Sequence, residues 1–481
     1  MPSYEKILRS HTIVLPDGPI DGWIGINDGV IVALGCGDPN GQDADHVEDL
    51  SNDVILPGVI DTHVHIRYPG YPEREDFTTG SAAAAAGGVT TILEMPISVP
   101  PTWNVDLFER RLNMAQGRTH VDIGFYAAGG YQAIPHIGAL AEAGAVGYKI
   151  FLHRPQKGRE HEFEGLWAVE TGHIFQAFAA IAQTGLKACV HAEDDELLHD
   201  AQERLEQQHR TDPLAHAEGH PLLAETLSVQ RAIMIAKQTD ARLSISHLSS
   251  GTGADLVRRA KAEGVAVTAE TCPHYLTRVD TDMNKYGAYA KINPPLRSPA
   301  EQDLLWAAIQ DGTVDFIGSD HSPYTREEKE RGRKSIWAAP AGCPGLETTL
   351  PLLLGEITSG RLTWADLARL TASKAADEFG LASKGRIALG RDADFAIVEM
   401  KGTRVQSTTM HTKSRETALI YDGQPVVGQV SKTYVRGTMV YEHGRVVGNA
   451  EHGRILRSTC ISVRQEKLTV SSRRNSGLPK D

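Results

Sequence analysis

The pattern of apolar and polar positions divides the chain into three parts. Residues 4–57 contain short β-rich runs broken by turn signals, as in HTIVLPDGPIDGWIGINDGVIVALG, and show no helical period. This pattern predicts a meander or a small sandwich. A similar β pattern returns in KGRIALGRDADFAIVEM and VSKTYVRGTMVYEHGRVVG. Because each segment alone is too short to bury a core, we expect residues 1–57 and 385–460 to pair in one small β-sandwich domain.

The middle of the chain, residues 58–384, has a different pattern. Short apolar runs such as VDIGFYAAG, VGYKIFL and KACVHAE alternate with helical stretches such as GSAAAAAGG and DLLWAAIQDG. Repeated strand and helix units predict an α/β fold in which helices cover a parallel sheet. A length of about 320 residues fits a (β/α)8 TIM-like barrel with insertions. The last segment, 461–481, is polar with little periodicity, and we assign it no chemistry.

Composition and charge exclude several classes of function. The chain has 481 residues, of which 41% are hydrophobic and 23% charged, as in ordinary globular proteins. A net charge of −12 without a long basic block argues against nucleic acid or an anionic membrane as a partner. No apolar stretch reaches the roughly 18 residues of a membrane helix, and no signal peptide is evident, so we expect a cytoplasmic protein. The scattered cysteines predict reduced thiols: Cys36, Cys189, Cys272, Cys343 and Cys460.

Polar residues close five of the predicted strands. The run GVIDTHVH ends in two histidines, and four later runs carry one polar residue each: His63 and His65, then Lys149, His191, His247 and Asp320. In a barrel of this class, active-site residues collect at the carboxyl ends of the strands. A lone strand-end histidine is more often a hydrogen-bonded structural residue, but chance convergence of this whole set is rare. The pattern therefore predicts one site at the barrel mouth.

The residue types at this mouth suit a metal centre. Imidazole and carboxylate groups bind Zn²⁺ and similar divalent ions. Lys149 could bind a metal only after its neutral amine adds CO₂ to form a carbamate, and burial beside Ile150 and Phe151 would favour the neutral amine. A water held between two cations would become hydroxide near neutral pH, since Zn²⁺ lowers the pKa of bound water to about 7. Asp320 would accept its proton and return it to the leaving nitrogen.

These motifs resemble the amidohydrolase superfamily, and within it the cyclic amidohydrolases allantoinase, hydantoinase (dihydropyrimidinase) and dihydroorotase. The resemblance extends from GVIDTHVH through GYKIF, VHAEDDEL, ISHLSS, AETCPHYL, INPPLRS and SDHSP to KGRIALGRDADF. It implies hydrolysis of a ring amide at two divalent cations, with Zn²⁺ the expected ion and N6-carboxylated Lys149 as the bridge. One cation would be held by His63, His65, Lys149 and Asp320, and the other by Lys149, His191 and His247. We also expect a homo-oligomer, either a dimer or a tetramer.

Motifs that differ among these enzymes point to more than one ring substrate. HVHIRYPG and INPPLRS resemble dihydroorotase, in which the residues matching Arg67 and Asn293 hold the substrate carboxylate. However, Ile97 and Tyr324 replace two residues of that pattern. GYKIF, SDHSP and CPHYL are closer to allantoinase, which usually lacks an arginine at the place of Arg67. We therefore expect an allantoinase-like hydrolase of a cyclic ureide or imide. The alternative is a dihydroorotase or hydantoinase that acts on a carboxylate-bearing ring.

Two arginines bear on the charge of the substrate. Arg67 follows the H-x-H pair, and Arg154 occupies the loop after the Lys149 strand, where hydantoinases usually carry a tyrosine. Two guanidinium groups over one pocket would suit an anionic arm on the ring, because arginine matches carboxylates through paired hydrogen bonds. Alternatively, Arg67 pairs with a neighbour such as Glu75, and Arg154 points to solvent or pairs with Glu160 or Glu162.

Other open points concern individual histidines and the class of protein. His274 and His321 are as compatible with structural roles as with substrate contact, and the role of Tyr324 is open. A non-catalytic scaffold relative would lack some of the six metal-site positions, and none is missing here. A fold alone does not assign function. The complete set therefore favours an enzyme over a scaffold.

Overall fold

The computed structural model describes residues 3–458, so Cys460 and the predicted polar tail 461–481 lie outside the described residues. The chain begins with five strands, β1 (Tyr4–Leu15), β2 (Gly18–Asn27), β3 (Val30–Cys36), β4 (Ala44–Asp49) and β5 (Val54–Pro57). Strands β1, β2 and β3 form an antiparallel meander. The register of β1 shifts between Ser10 and Ile13, so its first part pairs with β4 and its second part with β5. This bend wraps the sheet around buried Leu8, Ile24 and Ile55.

The middle of the chain supplies strands that all run parallel to their neighbours. Their bounds are β6 (Val59–Val64), β7 (Val89–Glu94), β8 (Asp122–Phe125), β9 (Ala127–Ala128), β10 (Tyr148–Phe151), β11 (Lys187–His191), β12 (Arg242–Ile245), β13 (Val267–Thr271) and β14 (Phe316–Ile317). β6, β7 and β8 pair in order, and β9 to β14 pair in order, while β8 and β9 are one strand interrupted at Tyr126. A parallel bridge between Val64 and His321 joins the end of β6 to the chain after β14. The parallel strands therefore close into a ring.

Helices occupy the connections between these strands, as the sequence pattern predicts. They are α1 (Phe77–Ala86), α2 (Val105–Ala115), α3 (Ile137–Glu142), α4 (Thr171–Thr184), α5 (Asp195–Gln207), α6 (Pro213–Glu218), α7 (Leu222–Thr239), α8 (Gly251–Ala262), α9 (Pro273–Thr277), α10 (Met283–Tyr286), α11 (Pro299–Gln310), α12 (Arg326–Glu330), α13 (Thr349–Thr358), α14 (Trp364–Ala368) and α15 (Lys374–Glu378). Local sequence explains where they begin: Asp76 and Thr79 form a capping box at α1, and Ser298 caps α11 before Pro299. The predicted α/β fold class is confirmed.

Further strands follow the parallel ring. They are β15 (Phe395–Glu399), β16 (Thr403–Arg404), β17 (Pro425–Val426), β18 (Gln429–Val435), β19 (Thr438–Glu442), β20 (Arg445–Val446) and β21 (Ile455–Leu456). β15 lies antiparallel between β5 and β18, so β15, β18, β19 and β20 join the five N-terminal strands in one nine-stranded sheet, while β16 and β17 pair with each other. β21 instead pairs with β8 of the ring. The domain boundaries given above stay a prediction. No helix within residues 3–458 combines the length and the apolar character needed to cross a membrane.

A buried ionic cluster connects the ring to the nine-stranded sheet. Lys384 Nζ donates to Asp122 on β8 at 2.5 Å and to Asp394 beside β15 at 2.7 Å. Arg436, which follows β18, also donates to Asp122. All four side chains are at most 8% exposed. Breaking such a cluster leaves a buried charge without its counter-ion, which costs far more than breaking a surface pair.

Replacing Lys384 by Met should therefore destabilise the protein by about 3–5 kcal/mol, because Asp122 and Asp394 would lose their shared cation. Thermal melting followed by circular dichroism measures the change. Arg386→Met is the matched control, since the Arg386 pair with Asp377 is partly exposed and such pairs contribute ~0–1 kcal/mol. Equal falls in melting temperature for the two variants would contradict the structural role given to the cluster.

Candidate active site

The first group of predicted site residues meets where the ring closes. His63 lies in β6 and His65 follows it, so the two side chains point to the same side of the extended chain. Asp320 follows β14, and the Val64–His321 bridge makes β14 the neighbour of β6. Asp320 Oδ1 lies 3.5 Å from His63 Nε2 and 3.3 Å from His65 Nε2. The three ligand atoms lie within 4.8 Å of one another and form a candidate metal-binding group.

The second group comes from three consecutive strands of the ring. Lys149 lies in β10, His191 ends β11, and His247 follows β12. Lys149 Nζ lies 3.4 Å from His247 Nε2, and His191 Nδ1 lies 3.1 Å from the same atom. The rings of His63 and His247 are 5.0 Å apart between centroids, so the two groups are adjacent. The fold thus brings all six side chains of the predicted metal site together.

Two of these residues have an uncommon backbone conformation. His247 has φ +37° and Asp320 has φ +45°, in the left-handed region that side chains with a Cβ rarely adopt. Such conformations persist only where the surrounding structure enforces them, and they cluster at functional sites. Here hydrogen bonds hold both segments, because the His247 N–H donates to Glu270 at 3.0 Å and the His321 N–H donates to Ser319 Oγ at 3.0 Å.

Burial sets the protonation of the site. It lowers the pKa of His191 to about 3 and that of Lys149 to about 8, and it lowers the pKa values of His65 and His247 well below the usual value. These nitrogens are therefore neutral, or easily made so, and have lone pairs to share. Burial also raises the pKa of Asp320, although the charges of His63 and Lys149 partly oppose the effect.

Several buried nitrogens of the six residues have no suitable hydrogen-bond partner. This arrangement suits a bound metal ion better than a hydrogen-bond network. His247 Nε2 can carry one proton or one lone pair, yet both Lys149 Nζ and His191 Nδ1 face it. Within the described residues, the Nδ1 atoms of His65 and His247 are buried without a hydrogen-bond partner. Neutral imidazoles and a carboxylate converging in this way make a donor set suited to a divalent cation.

Two buried carboxylates next to these histidines were missed in the sequence. Glu270 Oε1 lies 2.7 Å from His63 Nδ1, and Glu193 Oε2 lies 2.7 Å from His191 Nε2. Contacts with His63 and Thr62 outweigh the effect of burial and hold the pKa of Glu270 below its usual value. Contacts with His220 and His191 do the same for Glu193. In the sequence, each of these glutamates stands in a segment predicted to be buried, AETCPH or KACVHAE. A charged residue in such a segment could have indicated a buried partner.

A cavity opens beside the six residues. Five of them contribute to its wall together with other polar side chains: His63, His65, His191, His247 and Asp320, then Arg67, His153, Gln156, Arg159, Asn293, Ser322 and Tyr324. Arg67 is 3% exposed, and its Nη2 donates to Ser322 Oγ at 2.7 Å. Its Nε and Nη1 atoms, like Asn293 Oδ1, have no hydrogen-bond partner in residues 3–458. Arg67 and Asn293 therefore offer unused hydrogen-bonding capacity at the cavity.

Arg154 is not among the residues that line this cavity. Its side chain is half exposed, and it donates to Asp195 and, at 3.1 Å, to Glu170. The carboxylates that hold it thus come from the start of α5 and the segment before α4 rather than from Glu160 or Glu162. The loop instead places Arg159 at the cavity, where it bonds to Glu162 at 2.6 Å and to the Tyr324 hydroxyl at 3.2 Å.

The residues whose roles were open take different positions. The Tyr324 hydroxyl lies between Arg67 and Arg159, at 3.3 and 3.2 Å from their Nη2 atoms. His321 Nδ1 accepts from the backbone N–H of Gly345 at 3.2 Å, so this ring supports the chain next to Asp320. Both ring nitrogens of His274 are buried without a partner in the described part of the chain, and burial lowers its pKa to about 3. His274 and His321 are not among the cavity-lining residues.

Comparison with known proteins assigns the chain to a family. The sequence model of the amidohydrolase family matches residues 54–440, and the chain belongs to this family. It is 36% identical to an allantoinase of Streptomyces avermitilis, over 92% of this chain and 97% of that protein. It is 34% identical to a dihydroorotase of Methanothermobacter thermautotrophicus, over 89% and 93%. The solved structure of the L-hydantoinase (dihydropyrimidinase) from Arthrobacter aurescens superposes with a TM-score of 0.90 at 33% identity, covering 95% of this chain and all of that one.

Proposed function

We propose that this protein hydrolyses a ring amide C–N bond of a cyclic ureide or imide, in an allantoinase-like reaction that depends on two divalent cations. Zn²⁺ is the ion that the imidazole-rich donor set favours. The observation that carries the proposal is the convergence of His63, His65 and Asp320 with Lys149, His191 and His247 at one cavity. A scaffold protein has no need of neutral, unmatched nitrogens buried beside an open cavity.

The six residues have distinct places in this proposal. His63, His65 and Asp320 would hold one cation, His191 and His247 would hold the other, and N6-carboxylated Lys149 would be shared by both. The state of Lys149 supports its part, because the side chain is fully buried and its lowered pKa favours the free amine that must react with CO₂. When bound, the cations supply the Lewis acidity that activates a water and polarises the ring carbonyl.

Asp320 moves the proton in this reaction. Its Oδ1 faces His63 and His65, so Oδ2 is the oxygen left to take the proton of the attacking water. The same oxygen returns that proton to the ring nitrogen as the C–N bond breaks. Burial raises the pKa of Asp320 and so brings this pKa closer to neutral pH. The carboxylate is then a better base, and the carboxylic acid can return the proton.

One observation favours a second candidate, a dihydroorotase-like or hydantoinase-like reaction on a carboxylate-bearing ring. Arg67 is a buried cation at the cavity with two nitrogens that lack a partner. A buried charge without an acceptor is costly, and a ligand carboxylate would supply two acceptors in the geometry that guanidinium prefers. Asn293 adds an amide group at the same wall.

The wider predictions remain part of the proposal. The partner is a small cyclic amide rather than nucleic acid or a membrane, in keeping with the net charge of −12. The protein works in the cytoplasm as a dimer or tetramer of identical chains. A hydrolysis screen over allantoin, hydantoins, dihydropyrimidines, dihydroorotate and cyclic imides tests the reaction class. Fewer than one equivalent of bound metal after reconstitution with bicarbonate, without turnover of any ring, would favour the scaffold.

Lys149→Ala should lose bound metal and activity together, because the bridging group is removed. Acetate or propionate should restore part of both by filling the vacated space with a carboxylate. Metal analysis and turnover of the best ring substrate measure the two effects. Lys187→Met is the matched control, since Lys187 is an equally buried lysine in neighbouring β11 that pairs with Glu378 at 2.8 Å. Retention of two metals by the alanine variant would rule out the bridge.

Asp320→Asn should lower kcat by at least ~10² with a smaller effect on substrate affinity, because an amide cannot carry the proton. Steady-state kinetics separate the two parameters. Asp315→Asn provides the comparison, since Asp315 is a buried carboxylate just before β14, bonded to Lys261 at 2.6 Å. An unchanged kcat for the Asp320 variant would remove this residue from the proton transfer.

Arg67→Ala should raise KM for an acidic ring about tenfold or more and leave KM for a neutral ring nearly unchanged. The reason is that a charge-assisted hydrogen bond contributes roughly 1.5–3 kcal/mol. Dihydroorotate and unsubstituted hydantoin are a suitable pair of substrates. Arg154→Ala should change neither value, because that side chain is bound to Asp195 and Glu170 outside the cavity. Equal losses on both rings would show that Arg67 is structural.

A further inference from the structure

The hydroxyl group of Tyr324 lies between two side chains that can only donate hydrogen bonds. Arg67 Nη2 lies 3.3 Å from the Tyr324 oxygen, and Arg159 Nη2 lies 3.2 Å from it. A guanidinium group carries five N–H donors and no acceptor. The side chain of Tyr324 is 1% exposed, and within residues 3–458 its hydroxyl hydrogen has no acceptor. As a neutral phenol, Tyr324 would therefore bury an O–H group that has no partner in the protein.

Positive charges also surround the ring of Tyr324. The guanidinium carbons of Arg67 and Arg74 lie 5.3 and 4.7 Å from the ring centroid, and Lys329 Nζ lies 5.7 Å from it. These side chains come from the segment after β6, the loop before α1, and α12. Together with Arg159 from the loop after β10, four cationic side chains face one tyrosine.

Two carboxylates compensate part of this charge. Glu162 Oε2 accepts from Arg159 Nη2 at 2.6 Å, and a second bond at 3.0 Å joins Glu162 Oε1 to Arg159 Nε. Glu328 accepts from Arg74 Nε at 3.0 Å. Arg159 and Arg74 therefore each have a carboxylate counter-ion.

The other two cations have neutral partners. Arg67 donates to the hydroxyl groups of Ser322 and Tyr324. Lys329 Nζ donates to three backbone carbonyls, those of Ala288, Lys291 and Pro340. In the described part of the chain, neither Arg67 nor Lys329 pairs with a carboxylate. Ionisation of Tyr324 would remove one excess positive charge and the unpartnered O–H group at the same time.

We propose that Tyr324 is the acidic partner of Arg67 and Arg159, and that its phenolate form adapts the cavity to rings without a carboxylate. In the phenol form, Arg67 keeps an uncompensated charge that attracts a carboxylate on the ring. In the phenolate form, the Tyr324 oxygen offsets that charge and repels the carboxylate. Tyr324 thus determines which of the two substrate classes considered above binds better, so this inference rests on the proposed function.

The electrostatics of the cluster support an acidic Tyr324. Burial would raise the pKa of this phenol, but the charges of Arg159 and Arg67 outweigh burial and lower the pKa below its usual value. Two nearby lysines also titrate, because burial lowers the pKa of Lys329 to about 8 and that of Lys291 to about 7. A test must therefore compare proteins that retain both lysines.

The ionisation of Tyr324 can be measured without turnover, because a phenolate and a phenol differ in near-ultraviolet absorption. Subtracting the pH titration of Tyr324→Phe from that of the wild type isolates this one phenol. We expect a midpoint well below about 10, the usual value for tyrosine. A midpoint at about 10 or above overturns the proposal. Tyr148→Phe is the matched control, since Tyr148 is equally buried but donates to the Ile137 carbonyl, and burial raises its pKa. This control should lose an ionisation only at high pH.

Arg159→Met should move the Tyr324 midpoint to higher pH, because it removes one cation from the phenolate. Arg154→Met is the matched control and should leave the midpoint unchanged, since Arg154 binds Asp195 and Glu170 outside the cavity. If Tyr324→Phe does not fold, the difference between the wild type and Arg159→Met shows the same phenol. An identical titration of the wild type, Arg159→Met and Arg154→Met contradicts the proposal.

The effect on specificity is measured with dihydroorotate and dihydrouracil, which share one ring and differ by a carboxylate. In the wild type, the ratio of KM for dihydroorotate to KM for dihydrouracil should rise about tenfold as pH passes upward through the midpoint found by absorption, because the phenolate weakens the attraction of Arg67. In Tyr324→Phe the rise should be absent, and the effects of Lys329 and Lys291 cancel between the two proteins. An equal change of the ratio in both proteins, or none in either, overturns the role in specificity. A wild-type protein that hydrolyses no ring contradicts the proposed function instead, and the absorption titration still decides whether Tyr324 ionises.

Discussion

The bridge between Val64 and His321 is the contact on which the rest of the site depends. It joins the first parallel strand of the ring to the segment after the last one, which lies more than half the chain away. Without this closure, the histidines of β6 and Asp320 would sit on opposite edges of an open sheet. Once the ring is closed, the carboxyl ends of all its strands surround one axis, and side chains from distant segments meet there.

Closure also buries the side chains of the site, and burial decides their electrostatics. Lys149 and the histidines lie among apolar strands, where an unpaired positive charge is unfavourable. Their pKa values fall for that reason, to about 8 for Lys149 and well below the usual value for His247, which favours neutral nitrogens with lone pairs. Burial disfavours ionised carboxylates as well, but the hydrogen bonds that Glu193 and Glu270 accept hold their pKa values below the usual value. Burial therefore favours neutral histidines, and the contacts of these two glutamates keep them ionised.

The charge of the cavity wall depends on whether each arginine near it has carboxylate partners. Arg159 is matched by Glu162, and Arg154 by Asp195 and Glu170, whereas Arg67 is matched only in part by Ser322 and Tyr324. Residual positive charge is therefore located at one arginine rather than spread over the loop.

The sequence by itself determined the alternation of strands and helices and the six polar residues at strand ends, because period and burial are local properties of the chain. It also identified Arg67 and Asn293 through motifs that stand next to those strands. Only the tertiary structure decided that Arg159 rather than Arg154 reaches the cavity, since the direction of a loop depends on the carboxylates it meets. The contacts of Glu193 with His191 and of Glu270 with His63 were likewise not predicted. The sequence does not show which residue pairs with a glutamate inside an apolar run, because that partner comes from another segment of the folded chain.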